Sequence, residues 1–171
     1  LNKPFMGCGI RIPWQITGYT TFLVGEGAPL FLNALVKSEV YIVPFPQMRE
    51  FLSKEPELKD EFMRICAKYL RSDLDAMLAV ATTTAAERFW VLFAAFAMRL
   101  ELDLNEEWVR IPYKFNRATI SGLLYVSLLT VDRLYAQLIK QGMIKRENGM
   151  YIYSTKGIKE GIAWIMKRSV S

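Results

Sequence analysis

The longest regular pattern of hydrophobic and polar positions begins soon after Pro56. Apolar residues recur there at spacings of three and four for about 20 residues, which predicts an amphipathic helix of roughly 30 Å. Pro56 suits the first turn of a helix, and Glu55 and Glu57 suit the positive end of its dipole. The apolar stripe consists of Phe62, Ile65, Cys66, Tyr69, Leu70, Leu74, Met77, Leu78 and Ala81.

A stripe of this length has two interpretations. It is buried within its own domain, or it forms the seam of a dimer, and its length favours the dimer because few small domains need so long an amphipathic helix. The residues of the predicted dimer seam are Leu70, Leu74, Met77 and Leu78.

Shorter patterns surround the long helix. The spacing at 47–54 predicts a short helix, and β-forming residues at 19–24 and 40–43 predict two strands bounded by turns rich in Gly and Pro. The threonines at 82–84 interrupt the long helix and predict a hinge, after which Thr84 caps a further helix that runs to about Leu100.

The C-terminal third contains a distinctive order of elements. Residues 108–115 alternate and predict a short strand, after which Asn116 and Ser127 are placed to cap two successive helices separated by a tight turn. Gly142 ends the second helix, and an Asn-Gly turn at 148–149 predicts a β-hairpin. Two short helices followed by a hairpin are typical of a winged helix-turn-helix.

Composition narrows the functional classes. The chain has no histidine, which removes imidazole as base or metal ligand, and it shows no P-loop, nucleophile elbow or paired-carboxylate motif. We therefore expect no enzyme and no cofactor. Cys8 and Cys66 lie far apart, which favours free thiols in a reducing cytoplasm. The apolar run at 89–98 is too short to cross a membrane, and we expect no secretion signal.

Charge is divided unevenly along the chain. Residues 1–87 carry 9 Lys and Arg against 10 Asp and Glu, a net charge of −1, whereas residues 88–171 carry 13 against 7, a net charge of +6. A basic excess confined to one half favours a polyanion as the partner of that half.

From Asn116 to Tyr153 the sequence resembles the Crp/Fnr family of transcription regulators. Residues 130–133, Thr-Val-Asp-Arg, are similar to the family's recognition helix, and residues 141–144 are similar to its lead into the wing. The long helix resembles the family's dimerisation helix, and Arg88 matches an arginine that commonly follows it. Residues 34–41 resemble the last strands of the family's β-roll sensor. The resemblance covers about two thirds of the chain and is most specific in the helix-turn-helix.

The resemblance assigns DNA contacts to individual residues. Arg117, Ser127 and Thr130 fall where the family contacts phosphates, and Arg133 falls where it places a base-reading arginine. Leu128 and Leu129 replace the family's frequent Arg-Glu pair and could touch thymine methyl groups or pack against Tyr125. From helical spacing we add Gln137 as a second base-edge donor, and from the hairpin we add Lys145 and Arg146 as backbone contacts.

The sensor half departs further from the family pattern. Cyclic-nucleotide-binding members use a Gly-Glu pair and an Arg-Ser/Thr pair, whereas this chain has Gly25-Glu26 with no arginine before Arg49, and Ala28-Pro29-Leu30 in the corresponding region. The 46 residues before the first predicted helix are too few for a roll of about eight strands. We expect an incomplete sensor and an unknown small-molecule effector that is not a cyclic nucleotide.

These observations predict an α+β protein with two domains. Residues 1–83 form a β-roll remnant of the cyclic-nucleotide-binding type with the dimerisation helix, and residues 84–171 form the winged helix-turn-helix. The predicted function is transcription regulation by a cytoplasmic homodimer that binds double-stranded DNA, with RNA polymerase as a further partner implied by the resemblance. Two alternatives stay open: a protein-interaction module on the same scaffold, suggested by Leu128 and Leu129, and an enzyme without imidazole.

Overall fold

The computed structural model describes residues 9–27 and 32–167, which divide into two compact units. One unit holds residues 11–72. The other holds the chain from residue 73 onward together with Gly9 and Ile10. The predicted domain boundary at residue 83 stays a prediction.

The first unit is helical around a small core. It contains α1 (Tyr19–Val24), α2 (Phe45–Lys54) and the first part of α3 (Pro56–Thr82). Helices α2 and α3 lie within two residues of their predicted bounds. The buried core of this unit consists of Tyr19, Leu52, Phe62 and Cys66.

The strand predicted at 19–24 was wrong, because the segment is α1. Gly18 and Gly25 bracket it with positive φ angles of 75° and 82°, and the N–H of Gly25 donates to the carbonyl of Thr21 at 2.9 Å. Packing of two aromatic side chains overrides the β propensity of the segment: Tyr19 lies 5.9 Å from the Tyr69 ring, and Phe22 meets Phe62 edge to face at 5.5 Å.

The strand predicted at 40–43 was also wrong. Val40, Tyr41 and Ile42 are 70%, 79% and 86% exposed, and the segment has no ladder partner in the part of the chain that the structure describes. A β-forming sequence needs a neighbouring strand to satisfy its backbone groups, and none is supplied here. Of the residues used to argue about the sensor, Ala28-Pro29-Leu30 lie outside the described range.

The junction between the long helix and the next one follows the predicted chemistry. Helix α4 (Ala85–Arg99) starts after Thr84, whose hydroxyl accepts from the N–H of Glu87 at 3.3 Å. The Glu87 carboxylate in turn accepts from the N–H of Thr84 at 2.8 Å. This reciprocal pair is a capping box, which fixes where α4 begins.

The second unit combines helices with a small antiparallel sheet. After α4 come β1 (Trp108–Val109), α5 (Arg117–Leu124), α6 (Leu128–Lys140), β2 (Ile144–Glu147), β3 (Met150–Ser154) and α7 (Thr155–Lys167). The strand order is β1-β3-β2, with Trp108 opposite Ser154 and Lys145 opposite Ile152. The strand predicted over 108–115 is only two residues long, and the ladder with β3 ends at Val109.

One core unites these elements. The largest fully buried side chains are Phe89, Phe93, Ile111, Ile120, Leu124, Ile144, Ile158 and Val131. Helix α7, which was not predicted, packs closely on α4, with Gly157 and Gly161 beneath Trp90. The core therefore holds α5, α6 and the β2–β3 hairpin in one rigid arrangement.

Candidate nucleic-acid interface

The turn between α5 and α6 is set by two caps and one left-handed residue. The Asn116 side chain accepts from the N–H of Thr119 at 2.7 Å and starts α5. Tyr125 ends α5 with φ 54° and ψ 46°, a conformation in which glycine is more usual. Ser127 then starts α6, so the helices are separated by three residues, as predicted.

Helix α6 has one buried and one exposed face. Its buried residues are Val131, Leu134, Tyr135 and Leu138. The opposite face presents the side chains that the sequence assigned to DNA, namely Leu128, Leu129, Arg133 and Gln137, all of them exposed. Leu128 and Leu129 are 51% and 57% exposed, so packing covers less than half of either leucine.

The start of α6 gathers hydrogen-bonding groups. The Ser127 hydroxyl oxygen accepts from the N–H of Thr130 at 3.1 Å, and the two hydroxyl oxygens lie 2.9 Å apart. The helix dipole adds partial positive charge at this end, next to the unpaired N–H groups of the first turn. Such an arrangement suits an anionic oxygen.

The β2–β3 hairpin carries the second group of predicted contacts. Its turn has Asn148 and Gly149 at positive φ, 49° and 77°, as the Asn-Gly signal predicts for a type I′ turn. Lys145 and Arg146 are exposed on β2, and the Lys145 ammonium lies 4.2 Å from the centre of the Trp108 ring. Arg110 pairs with Glu147 at 3.0 Å and ties this strand to the segment after β1.

Arg117 is half-buried and has several partners. Its guanidinium carbon lies 3.3 Å from the centre of the Tyr135 ring, and one nitrogen donates to the Tyr151 hydroxyl at 3.0 Å. Nε lies 3.3 Å from a carboxylate oxygen of Asp132. Burial raises the pKa of Tyr135, and also that of Tyr153, so both phenols stay neutral at physiological pH.

The structure brings most of the sequence-predicted residues to the start of α6 and to the hairpin. Sequence reasoning missed the partners of Arg117, because Asp132, Tyr135 and Tyr151 lie far from it in sequence and no local spacing connects them. It also missed Trp108 as the ring beside Lys145.

The four residues of the predicted dimer seam lie along α3 and are exposed. Leu70, Leu74, Met77 and Leu78 are between 42% and 62% exposed. Apolar side chains in register on one helix stripe are a feature of helix-helix interfaces.

Over 9–27 and 32–167, no three His, Cys, Asp or Glu side chains come together as metal ligands would. Within the same ranges, no helix has the length and apolar character to cross a membrane.

No family model matches the chain. Curated relatives do match. The transcriptional activator protein anr of Pseudomonas aeruginosa is 24% identical over 140 residues, which cover 81% of this chain and 56% of the relative. The fumarate and nitrate reduction regulatory protein of Escherichia coli K12 is 28% identical over 149 residues, 84% of this chain and 56% of the relative. The chain therefore spans a little over half the length of these relatives.

Two solved structures share the fold. FixK2 from Bradyrhizobium japonicum superposes with a TM-score of 0.56 at 21% identity, covering 71% of this chain and 59% of that one. A CooA variant from Carboxydothermus hydrogenoformans gives a TM-score of 0.52 at 15% identity, covering 70% and 54%. The resemblance read from the sequence is thus confirmed: the homologues of this chain are Crp/Fnr transcription regulators, and its fold is of their type.

Proposed function

We propose that the chain is a transcription regulator that binds double-stranded DNA as a homodimer. The observation that carries the proposal is the exposed face of α6, which presents Arg133, Gln137 and two leucines, with the hydroxyls of Ser127 and Thr130 at the start of the helix. In this proposal α5, α6 and the hairpin form a winged helix-turn-helix, and α6 enters the major groove.

Each group on this surface has a chemical role in the proposal. Arg133 donates two hydrogen bonds to a guanine edge, with Gln137 as a second donor. Ser127, Thr130, Lys145 and Arg146 contact the phosphates and set the register. Leu128 and Leu129 touch thymine methyl groups. The phosphate contact predicted for Arg117 remains a prediction.

The remaining parts of the proposal concern the whole regulator. Helix α3 forms the dimer seam, the sensor is incomplete, and the effector is not a cyclic nucleotide. The protein acts in the cytoplasm and contacts RNA polymerase. Support for a role in regulation comes from the named relatives, a transcriptional activator and a regulatory protein.

DNA binding is tested by selecting duplexes from a randomised library with the purified chain. Affinity for the selected duplex and for a random duplex is then measured over a salt series. We expect the selected duplex to bind at least 1000-fold more tightly than the random one, and both affinities to fall with salt. Failure to enrich any sequence, with no salt-dependent binding, would contradict the proposal.

Arg133→Ala tests the base-reading role. Loss of a bidentate contact should cost about 1–3 kcal/mol on the selected duplex and relax the preference at one base pair. Ile139→Ala, which shortens an exposed apolar side chain near the end of the same helix, is the matched control. An equal loss of affinity for selected and random DNA would show that Arg133 contacts the DNA backbone and not a base edge.

A second candidate function is protein interaction on the same scaffold. It is favoured by the exposure of Leu128 and Leu129, because paired apolar side chains on a surface also mark protein contacts. The same salt series separates the two, since only the regulator binds DNA with a steep salt dependence.

A further inference from the structure

Arg117 joins three elements through a single side chain. It lies in the first turn of α5, stacks on Tyr135 of α6 and donates to the hydroxyl of Tyr151 on β3. Tyr135 and Tyr151 also contact each other, with ring centres 5.0 Å apart. With Asp132, these residues form what we call the Arg117 cluster: Arg117, Asp132, Tyr135 and Tyr151.

The bonding directions of the guanidinium are largely occupied within the cluster. One face lies on Tyr135, which is 2% exposed, and two of the nitrogens face Tyr151 and Asp132. The Arg117 side chain is 32% exposed, and the carboxylate of Asp132 offsets its charge. A phosphate oxygen would therefore compete with bonds that the arginine already makes.

Tyr135 connects the cluster to the core of its unit. Its ring meets Phe89 of α4 edge to face at 5.4 Å. The stack on Tyr135 thus rests on a fixed ring, and Arg117 links α5 to this ring of α6 and to Tyr151 of β3. A planar guanidinium can stack and donate in its plane at once, which a lysine ammonium cannot do.

We propose that Arg117 is a positioning residue for DNA recognition, fixing the recognition helix α6 against the hairpin so that Arg133 and the hairpin cations meet the duplex together. The proposal rests on the DNA-binding function proposed above. Base-edge hydrogen bonds need donors held to within about half an ångström, so a loosened hairpin lowers selectivity before it lowers binding to DNA in general.

Arg117→Lys is the discriminating variant, because it keeps the charge and removes the stack and the in-plane bonds. A phosphate contact would tolerate lysine, whereas a positioning arginine would not. Tyr151→Phe is the second variant, since it removes only the hydroxyl that accepts from Arg117 and leaves the ring in place. Arg110→Lys is the matched control, because its pairing with Glu147 is exposed and requires only a positive charge.

Affinities of all three variants are measured on the selected duplex and on a random duplex over a salt series. Circular dichroism and thermal unfolding confirm that each variant is folded at the assay temperature. For Arg117→Lys we expect about ten-fold weaker binding to the selected duplex, unchanged binding to the random duplex and an unchanged salt slope. Tyr151→Phe should lose about three-fold in the same selective way, and Arg110→Lys should match the wild type.

Three results overturn the proposal. One is wild-type selectivity in both Arg117→Lys and Tyr151→Phe. Another is an equal loss of affinity for both duplexes, which would show that Arg117 contacts a phosphate. The third is a lower unfolding temperature with unchanged selectivity, which would make the cluster purely structural. If the wild-type chain binds neither duplex, the DNA-binding function itself fails, and this outcome is distinct from the other three.

Discussion

At the scale of single residues, the two exposed leucines decide what kind of contact α6 makes with a base pair. Leucine has no polar group to offer a base edge, so in the proposed complex Leu128 and Leu129 would recognise only shape and methyl groups. Their outward position was predictable from helical spacing once Ser127 was recognised as the cap. The surroundings of Arg117 were not predictable, because they depend on a tertiary approach of β3 to α6.

Replacing a thymine by uracil in the selected duplex removes only the methyl group that Leu129 is proposed to touch. Loss of one buried methyl contact should weaken wild-type binding by about 0.8 kcal/mol, roughly four-fold. Leu129→Ala should bind more weakly and lose its sensitivity to that replacement. Fluorescence anisotropy with the two duplexes measures both effects.

Two controls complete this test. Uracil at a thymine outside the half-site should change nothing, and Leu128→Ala reports whether the neighbouring leucine contacts a different thymine. A Leu129→Ala variant that keeps the full four-fold sensitivity would show that another side chain contacts the methyl group.

At the scale of elements, the residues that cap the helices could be predicted from the sequence, whereas the packing of one helix on another could not. Thr84, Asn116 and Ser127 start their helices where the local pattern placed them. Helix α7 was not predicted, although its apolar residues Ile158, Ile162 and Ile165 follow helical spacing. Its close packing on α4 depends on Gly161, where a methyl group would lie 2.3 Å from the carbonyl oxygen of Trp90. Only the folded arrangement shows that this glycine permits close approach.

Gly161→Ala should destabilise the second unit. Alanine favours a helix by roughly 1 kcal/mol over glycine, but a methyl group against backbone atoms forces α7 away from α4. We expect a net loss of about 1–3 kcal/mol in the free energy of unfolding, measured by urea denaturation. Gly27→Ala is the control, because a methyl group there meets nothing within 4 Å. Equal stability of Gly161→Ala and the wild type would contradict the close packing.

The capping box of α4 predicts a pH dependence. The pKa of the Glu87 carboxyl lies below its usual value of 4.5, because it accepts from the N–H and then from the hydroxyl of Thr84. A lowered folded-state pKa means that the carboxylate stabilises the fold above about pH 4.5 and that this contribution is lost as the pH falls through the folded-state value.

Glu87→Gln should therefore flatten the fall in melting temperature between pH 6 and pH 3, conditions chosen to span this titration. Thermal unfolding followed by circular dichroism measures the slope for both proteins. Glu26→Gln, an exposed carboxylate far from α4 in sequence, should leave the slope as it is in the wild type. Equal slopes of melting temperature against pH for Glu87→Gln and the wild type would show that the capping box does not contribute to the loss of stability in acid.

At the scale of the whole molecule, the two halves of the chain differed in how far local pattern determined structure. From Asn116 to Ser154, the caps, the turn residues and the helical spacing agree with the tertiary contacts. The positions of these elements could therefore be predicted from the sequence. Before Pro44 the local sequence pattern does not agree with the tertiary contacts. Strand-forming residues at 40–43 have no neighbouring strand in the described part of the chain, and those at 19–24 are drawn into a helix by Tyr69 and Phe62.

Helix α3 is expected to form the dimer through its exposed apolar stripe. Leu74 and Met77 are 55% and 62% exposed on a helix of 27 residues, and a dimer seam would bury them. Replacing both by glutamate places like charges opposite each other in the seam, at a cost of several kcal/mol. Sedimentation velocity should then show a monomer for Leu74→Glu/Met77→Glu at concentrations where the wild type is a dimer.

The matched control is Leu58→Glu, which adds a glutamate at another exposed apolar position near the start of the same helix, outside the predicted seam. It should sediment as the wild type does, because it adds the same kind of charge without placing it in the interface. The double variant should also lose most of its affinity for a two-fold symmetric duplex while keeping its affinity for a single half-site, since each recognition helix stays intact. If the double variant sediments as the wild type, the apolar stripe of α3 has another role, and dimerisation has to be sought elsewhere on the chain.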